Sequence, residues 1–564
     1  MEERAEAKAR QFPLLTERRF GPLWICHFTN QLNNQFLRAA TLWILSGNSY
    51  VVFGEAPLQA EAMAWFVLPA IVTAAIGGQL ADHMDRQKVI ILAQTVGLVA
   101  AALAVFGLLA DRTILVLAGV AVAGVQTTIF SPAQGALIRQ HLADTELTPG
   151  NGLMTAGRQL ATITGLLLLL ATFDPETEAS KVLLPALVAS AVAGWLVSLR
   201  VPRSPAPRPD MKTSWTPLGA LRQTLVEAVS DRNVFLAILG VSWFWFTHLV
   251  FLVNLPSYAA NVIGARDLAL IVLLMTPVAT LMLGALLCQP ASGRRVELGL
   301  VPLGALGMAI AGVDFYLNSP EAAPAAARTL KELLDAPTYV RCLADLAILG
   351  LSAGLYVVPL YALVQQSAPT DRLGRVLGGM MFYNLIFVSL ALAGAQWLRS
   401  EGLSLEAIIL TAILLQSGVA IYIFLLLPEF LLRLLMWLLV HTIYRTEATH
   451  LERVPPSGPA VIVCNHVSYM DPLVIGAKVR RPVRFVMHRY IFQIPVMKTV
   501  FRLAKAIPIV SGKKDPISPS AAAPRSASAT AWHRTSPSEC PSRPCENGIS
   551  TVVHSPSTVS KSAQ

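Results

Sequence analysis

Gly78-Gln79-Leu80-Ala81-Asp82-His83-Met84-Asp85-Arg86-Gln87-Lys88 is a short charged stretch between two long apolar runs, residues 62–81 and 89–110. An apolar run of about 20 residues crosses a bilayer core as a helix, so the stretch reads as the turn between two antiparallel spans. Gly78 allows two helices to approach closely, because it has no Cβ to hold them apart. Asp82 suits a helix end, where it caps or pairs. Arg86 and Lys88 belong on the membrane face that collects positive charge. The plainer alternative is that Asp82 and Arg86 only mark a polar turn.

Comparable runs fall near residues 20–46, 113–133, 152–173 and 182–199, and then near 234–256, 268–288, 298–317, 342–366, 376–397 and 404–427. The expectation is twelve spans, six plus six, over residues 20–199 and 234–427. The joint between the two sets, 200–233, opens with Pro202, Pro205, Pro207, Pro209 and Pro217 among basic residues and reads as an exposed linker. With both ends placed inside, cytoplasmic segments hold about twelve Lys and Arg and the opposite segments about seven, a positive-inside arrangement. Residues 1–19 form a basic tail without a removable signal peptide.

Composition agrees. The 564-residue chain is 54% hydrophobic and 14% charged, against about 25% charged in soluble domains. Its net charge of +10 lies mainly between the apolar runs rather than on one surface, so it is a topology signal and excludes nucleic acid as a partner. Cys26, Cys288, Cys342, Cys464, Cys540 and Cys545 include no C-x-x-C pair; no disulfide framework, metal site or bound cofactor is expected.

The loop 78–88 resembles the G-x-L-a-D-r-x-G-R-r/k signature of the major facilitator superfamily, with Asp85 where the second glycine stands; Gly284 to Glu297, containing Gly293-Arg294-Arg295, reads as a degenerate copy. Ser131-Pro132-Ala133-Gln134, Gly150-Asn151-Gly152-Leu153, Ser242-Trp243-Phe244-Trp245-Phe246 and Gly354–Tyr361 resemble the lysophospholipid transporters within it. That resemblance covers roughly residues 20–430. It implies a major facilitator fold in a bacterial inner membrane, moving lysophospholipid from the outer to the inner leaflet.

Polar residues inside spans are costly and read first as functional. The first span carries Asn30, Gln31, Asn33, Asn34, Gln35 and Arg38. Relatives tend to show an acid followed by a basic residue here; this chain has Asn34, which cannot change charge, and then Arg38. Asn30, Asn34 and Arg38 are the candidate lipid-binding set. Arg38 either meets a lipid phosphate through paired hydrogen bonds or pairs with Asp345 or another intramembrane acid. His248, Asp314 and Asp345 are further candidates, and the aromatic run Trp243–Phe246 reads as interfacial or packing rather than a lipid clamp.

Beyond residue 427 the character changes. Residues 428–446 read as a connector, a short interfacial helix or the end of the last span. In 447–515 an apolar run, Ala460–Cys464, reads as a strand leading into Asn465-His466-Val467-Ser468-Tyr469-Met470-Asp471. Neutral imidazole suits a general base that activates an alcohol for attack on a thioester, and an aspartate holds the ring's tautomer and stabilises the imidazolium. His466 and Asp471 are therefore the candidate catalytic pair. The H-x4-D spacing, Arg484–Met487 and Ala504–Ile509 resemble the glycerolipid acyltransferases fused to such transporters. The resemblance implies an acyl carrier protein or coenzyme A thioester as donor and the lysolipid hydroxyl as acceptor. No Pro-Glu-Gly follows; the domain reads as a truncated α/β fragment, weak or inactive by itself. Residues 516–564 hold 12 Ser and 7 Pro among 49, the composition of a disordered tail, such as a frameshift leaves. The competing functions are a tethered acyltransferase and a generic facilitator of drugs or small solutes.

Overall fold

The computed structural model describes residues 11–45, 56–172, 180–211, 213–214, 216–292, 296–320, 329–426, 428–443, 445–446, 451, 454–455, 460–465, 467–479, 483–495, 497–510 and 553–554. It divides into two units, Met1–Ile423 and Phe424–Gln564.

All twelve apolar runs of the first unit are helices. The first half comprises α1 (Gly21–Leu45), α2 (Ala56–His83), α3 (Arg86–Leu109), α4 (Thr113–His141), α5 (Leu147–Thr172) and α6 (Ser180–Ser198). A linker helix, α7 (Pro217–Ala228), leads to α8 (Arg232–Asn261), α9 (Asp267–Ser292) and α10 (Leu300–Leu317). A short α11 (Leu330–Leu334) precedes α12 (Pro337–Ser367), α13 (Leu373–Ser400) and α14 (Leu405–Leu426). Among the described residues, nine of these helices combine spanning length with span-like hydropathy. The other three are α1, interrupted by the polar run Asn30–Gln35; α5, which carries Arg158 and Gln159; and α6, apolar over Leu183–Ser198.

Within the halves, α2 and α3 pack on α4, α1 on α5 and α6, α9 and α10 on α12, and α8 on α13. Two seams join the halves: α2 against α13 and α5 against α9. Each seam is built on missing side chains. A Cβ on Gly78 would lie 2.7 Å from the Gly374 carbonyl oxygen and 3.0 Å from the Gly378 Cα, and one on Gly152 would lie 2.6 Å from the Ala285 carbonyl oxygen. Backbones this close gain dispersion contacts, the main attraction available between helices in lipid. The linker helix α7 packs on both α2 and α13.

The second unit begins with α15 (Pro428–Ile443), a separate helix with proline at its start, where the missing N–H costs nothing. Its Val440 and Trp437 pack with Leu473, Val474 and Ala477 of α16 (Asp471–Lys478). The strands β1 (Arg445–Thr446), β2 (Val486–His488), β3 (Ile507–Ile509) and β4 (Val553–His554) are short; β2 pairs parallel with β3 and β1 antiparallel with β4. The short helices α17 (Arg489–Phe492) and α18 (Met497–Leu503) lie between β2 and β3. The expected strand Ala460–Cys464 is not formed. Residues 460–465 make no ladder, and Val461 and Val463 are exposed. A strand needs a neighbour for its backbone groups, and among the described residues none is paired with this segment. Of the Ser/Pro-rich tail, Val553–His554 are described and the rest lies outside the described residues.

Candidate functional site

The charged loop after α2 ties the halves together. Asp82 is fully buried, and its carboxylate accepts the backbone N–H groups of Gly374 at 2.7 Å and Arg375 at 3.0 Å. Those N–H groups belong to the first turn of α13, which has no acceptors within its own helix. Asp82 thus caps a helix of the opposite half, where the dipole favours an anion. Arg375 also donates Nε to Asp82 at 3.2 Å and Nη1 to Glu227 of α7 at 3.0 Å. Glu227 accepts a second bond from Arg372, and this contact holds the Arg372 guanidinium above its ordinary pKa.

Arg86 lies in the same seam, donating to Gln140 at 2.7 Å and to the carbonyls of Ala81 and Ala136. Asp85 does for its own helix what a serine or asparagine usually does: its Oδ1 accepts the Gln87 N–H and caps α3. Lys88 is exposed and joins none of these bonds. The degenerate copy, Gly293-Arg294-Arg295, lies outside the described residues. A second polar clasp closes the same end: Asn151 of α5 and Gln365 of α12 exchange bonds of 2.7 and 3.1 Å, both side chains buried.

Away from that end, the halves enclose a cavity walled by α1, α5, α8, α9, α10, α12 and α14. Its polar lining is Gln35, Arg38, Thr162, Thr247, His248 and Gln416; the rest is apolar, and among the described residues no carboxylate reaches it. Gln35 and Thr162 hold one another across the wall at 3.0 Å.

The candidate lipid-binding set separates. Arg38 lies on the cavity wall. Asn30 faces α4, its Oδ1 accepting from Gln126 at 2.9 Å, and Asn34 is half-buried off the wall. Asn33 binds α6 through Leu187 and Ser190. Asp345 lies with Asp314 and Arg341, and Arg341 donates to both Asp314 oxygens. His248 is on the wall. In the aromatic run, Trp243 donates Nε1 to Gln416 at 2.7 Å and Trp245 donates Nε1 to Tyr361 at 3.0 Å, with the Arg158 guanidinium 4.8 Å from the Trp245 ring. Arg375, Glu227, Gln365 and Arg158 escaped the sequence reading. A charge inside the apolar run 152–173 is visible there for Arg158; the other three gain meaning only from partners far along the chain.

In the second unit His466 lies outside the described residues. Asp471 opens α16, and its Oδ2 accepts the N–H groups of Val467 at 2.7 Å and Ser468 at 2.9 Å. The carboxylate therefore folds the loop back onto the residues that follow position 466. Tyr469 and Val467 are exposed on this loop. Burial lowers the pKa of Lys478 at the far end of α16.

The family model described as Major Facilitator Superfamily matches residues 23–392, and that described as Acyltransferase matches 445–527. A lysophospholipid transporter, LplT, of Serratia proteamaculans (strain 568) is 28% identical over 352 residues, covering 61% of this chain and 79% of that protein. The one from Escherichia coli O1:K1 / APEC is 27% identical over 348 residues, with the same coverage of 61% and 79%. The structure of FucP, a major facilitator transporter in the outward conformation, superposes with a TM-score of 0.56 at 12% identity, covering 72% of this chain and 99% of that one. The chain belongs to the Major Facilitator Superfamily, as a multi-pass membrane transporter with an acyltransferase-family segment following its helices.

Proposed function

We propose that this chain moves a lysophospholipid across a bacterial inner membrane, with both termini in the cytoplasm, and presents it to the acyltransferase segment. The observation that carries this reading is the cavity between the halves. Its wall is apolar apart from a small polar set that includes the guanidinium of Arg38. An acyl chain suits such a wall, and a guanidinium pairs with phosphate oxygens in a planar fork. The names of the transporters it resembles point to the same cargo.

The test is uptake of labelled lysophosphatidylethanolamine by vesicles containing the purified chain. Uptake well above empty vesicles is expected. Uptake equal to them, together with transport of a sugar or a drug cation, would overturn the reading in favour of a general facilitator.

For the acyltransferase segment, His466 is the general base toward the lysolipid hydroxyl, Asp471 its orienting partner, and acyl carrier protein or coenzyme A the donor. The exposed apolar residues Val461 and Val463 and the three-residue β2–β3 pair support weak catalysis. Acyl transfer measured with and without His466→Ala decides. Near-background transfer in both chains is expected; robust transfer abolished by the substitution makes the chain an enzyme in its own right.

A further inference from the structure

The buried arginines of the first unit have acceptors. Arg86 has Gln140 and two carbonyls, Arg375 has Asp82 and Glu227, and half-buried Arg399 has Asn254. Arg158 is different. It sits on α5 between Leu153, whose carbonyl accepts from Trp24 of α1, and Thr162, which accepts from Gln35. Its Nε is buried without a hydrogen-bond acceptor, and among the described residues no carboxylate pairs with it. Its guanidinium lies over the face of Trp245, contributed by the other half. A guanidinium cannot shed its proton, and an intramembrane charge kept without an anion marks a site for one. Thr162, one turn along α5, and His248, one turn along α8 from Trp245, both line the cavity.

We propose that Arg158 is a second anion-binding residue of the transport path besides Arg38, receiving the phosphodiester of a lipid headgroup one helical turn from the cavity-lining Thr162, with the Trp245 ring standing in for the anion when the site is empty. The aromatic face offers a cation partial negative charge, and a phosphate offers a stronger, bidentate partner, so loading exchanges one for the other. Because Trp245 belongs to the opposite half, that exchange alters a contact between halves. The inference rests on the lipid-transport reading above.

Vesicles containing the full chain, Arg158→Gln, Arg158→Lys or Trp245→Phe are assayed with lysophosphatidylethanolamine and with monoacylglycerol of the same acyl chain. Inorganic phosphate and glycerophosphoethanolamine serve as competitors. Arg158→Gln should raise KM for the phospholipid about tenfold or more, leave monoacylglycerol unchanged, and be partly rescued by Arg158→Lys. Glycerophosphoethanolamine should compete in the wild type and not in Arg158→Gln, and lipid should shift tryptophan emission in the wild type more than in Trp245→Phe. An unchanged KM, or an equal loss of uptake for both lipids, overturns the proposal, the latter marking a packing role. Competition by inorganic phosphate without glycerophosphoethanolamine overturns the lipid assignment. Wild-type vesicles that move no lysolipid would instead sink the transport reading itself. Should Arg158→Gln fail to fold, the Lys and Trp245→Phe variants still give the phospholipid-to-monoacylglycerol comparison.

Discussion

The Asp82 carboxylate, at the end of α2, accepts both the backbone N–H and the Nε of Arg375, at the start of α13, 293 residues along the chain. One buried acid satisfies orphan donors of a helix it does not belong to and neutralises part of that helix's first arginine. The bond joins the two halves, so any parting of α2 from α13 at this end must break it.

Asp82→Asn removes the charge and leaves Arg375 with Glu227 alone. Breaking a buried pair costs about 3–5 kcal/mol. The closed form should lose most of its population, read as faster labelling of a cysteine placed at position 140 by a water-soluble maleimide. Unchanged labelling would show that the clasp does not control closure.

Gly78→Val places branched carbons where the Gly374 carbonyl and Gly378 already sit. The α2–α13 seam must part, so labelling at this end should rise and transport fall at least tenfold, with apolar residues elsewhere on α2 tolerant. A variant that transports normally would contradict the close approach.

Asn151 and Gln365 test reciprocity. Either leucine substitution alone orphans a buried amide, costing about 1–3 kcal/mol, whereas the double substitution removes both groups and should recover most of the loss. Thermal unfolding of the four proteins in one detergent completes the cycle; strictly additive losses would exclude a direct bond.

Arg38→Gln should weaken lysophosphatidylethanolamine uptake through KM about tenfold while Asp345→Asn leaves KM alone, because Asp345 lies with Asp314 and Arg341 away from the cavity wall. Equal effects of the two substitutions would restore an Arg38–Asp345 pairing.

The positions of the twelve helices were legible because the bilayer imposes a length and a polarity on each segment separately, so every run could be judged alone. The loop 78–88 was legible for the same reason, as a local pattern of glycine, acid and base. The partners of Asp82 were not, since nothing near residue 82 encodes Gly374 or Arg375. Asn30 and Arg38 looked alike as polar residues in one span, yet Asn30 turned to Gln126 and Arg38 to the cavity; helix rotation relative to neighbours separates them. In the second unit, Ala460–Cys464 had the composition of a strand but lacks a ladder partner among the described residues, and propensity alone does not make a strand.

From the sequence by itself came the membrane architecture, the two-half organisation and the acyltransferase spacing of His466 and Asp471, all short-range properties of composition and period. Which residues meet was decided by the tertiary structure alone. Hydrogen bonds and charge pairs act within a few ångströms, and only the packing of α2 on α13 and of α5 near α8 brings Asp82 to Arg375 and Arg158 to Trp245.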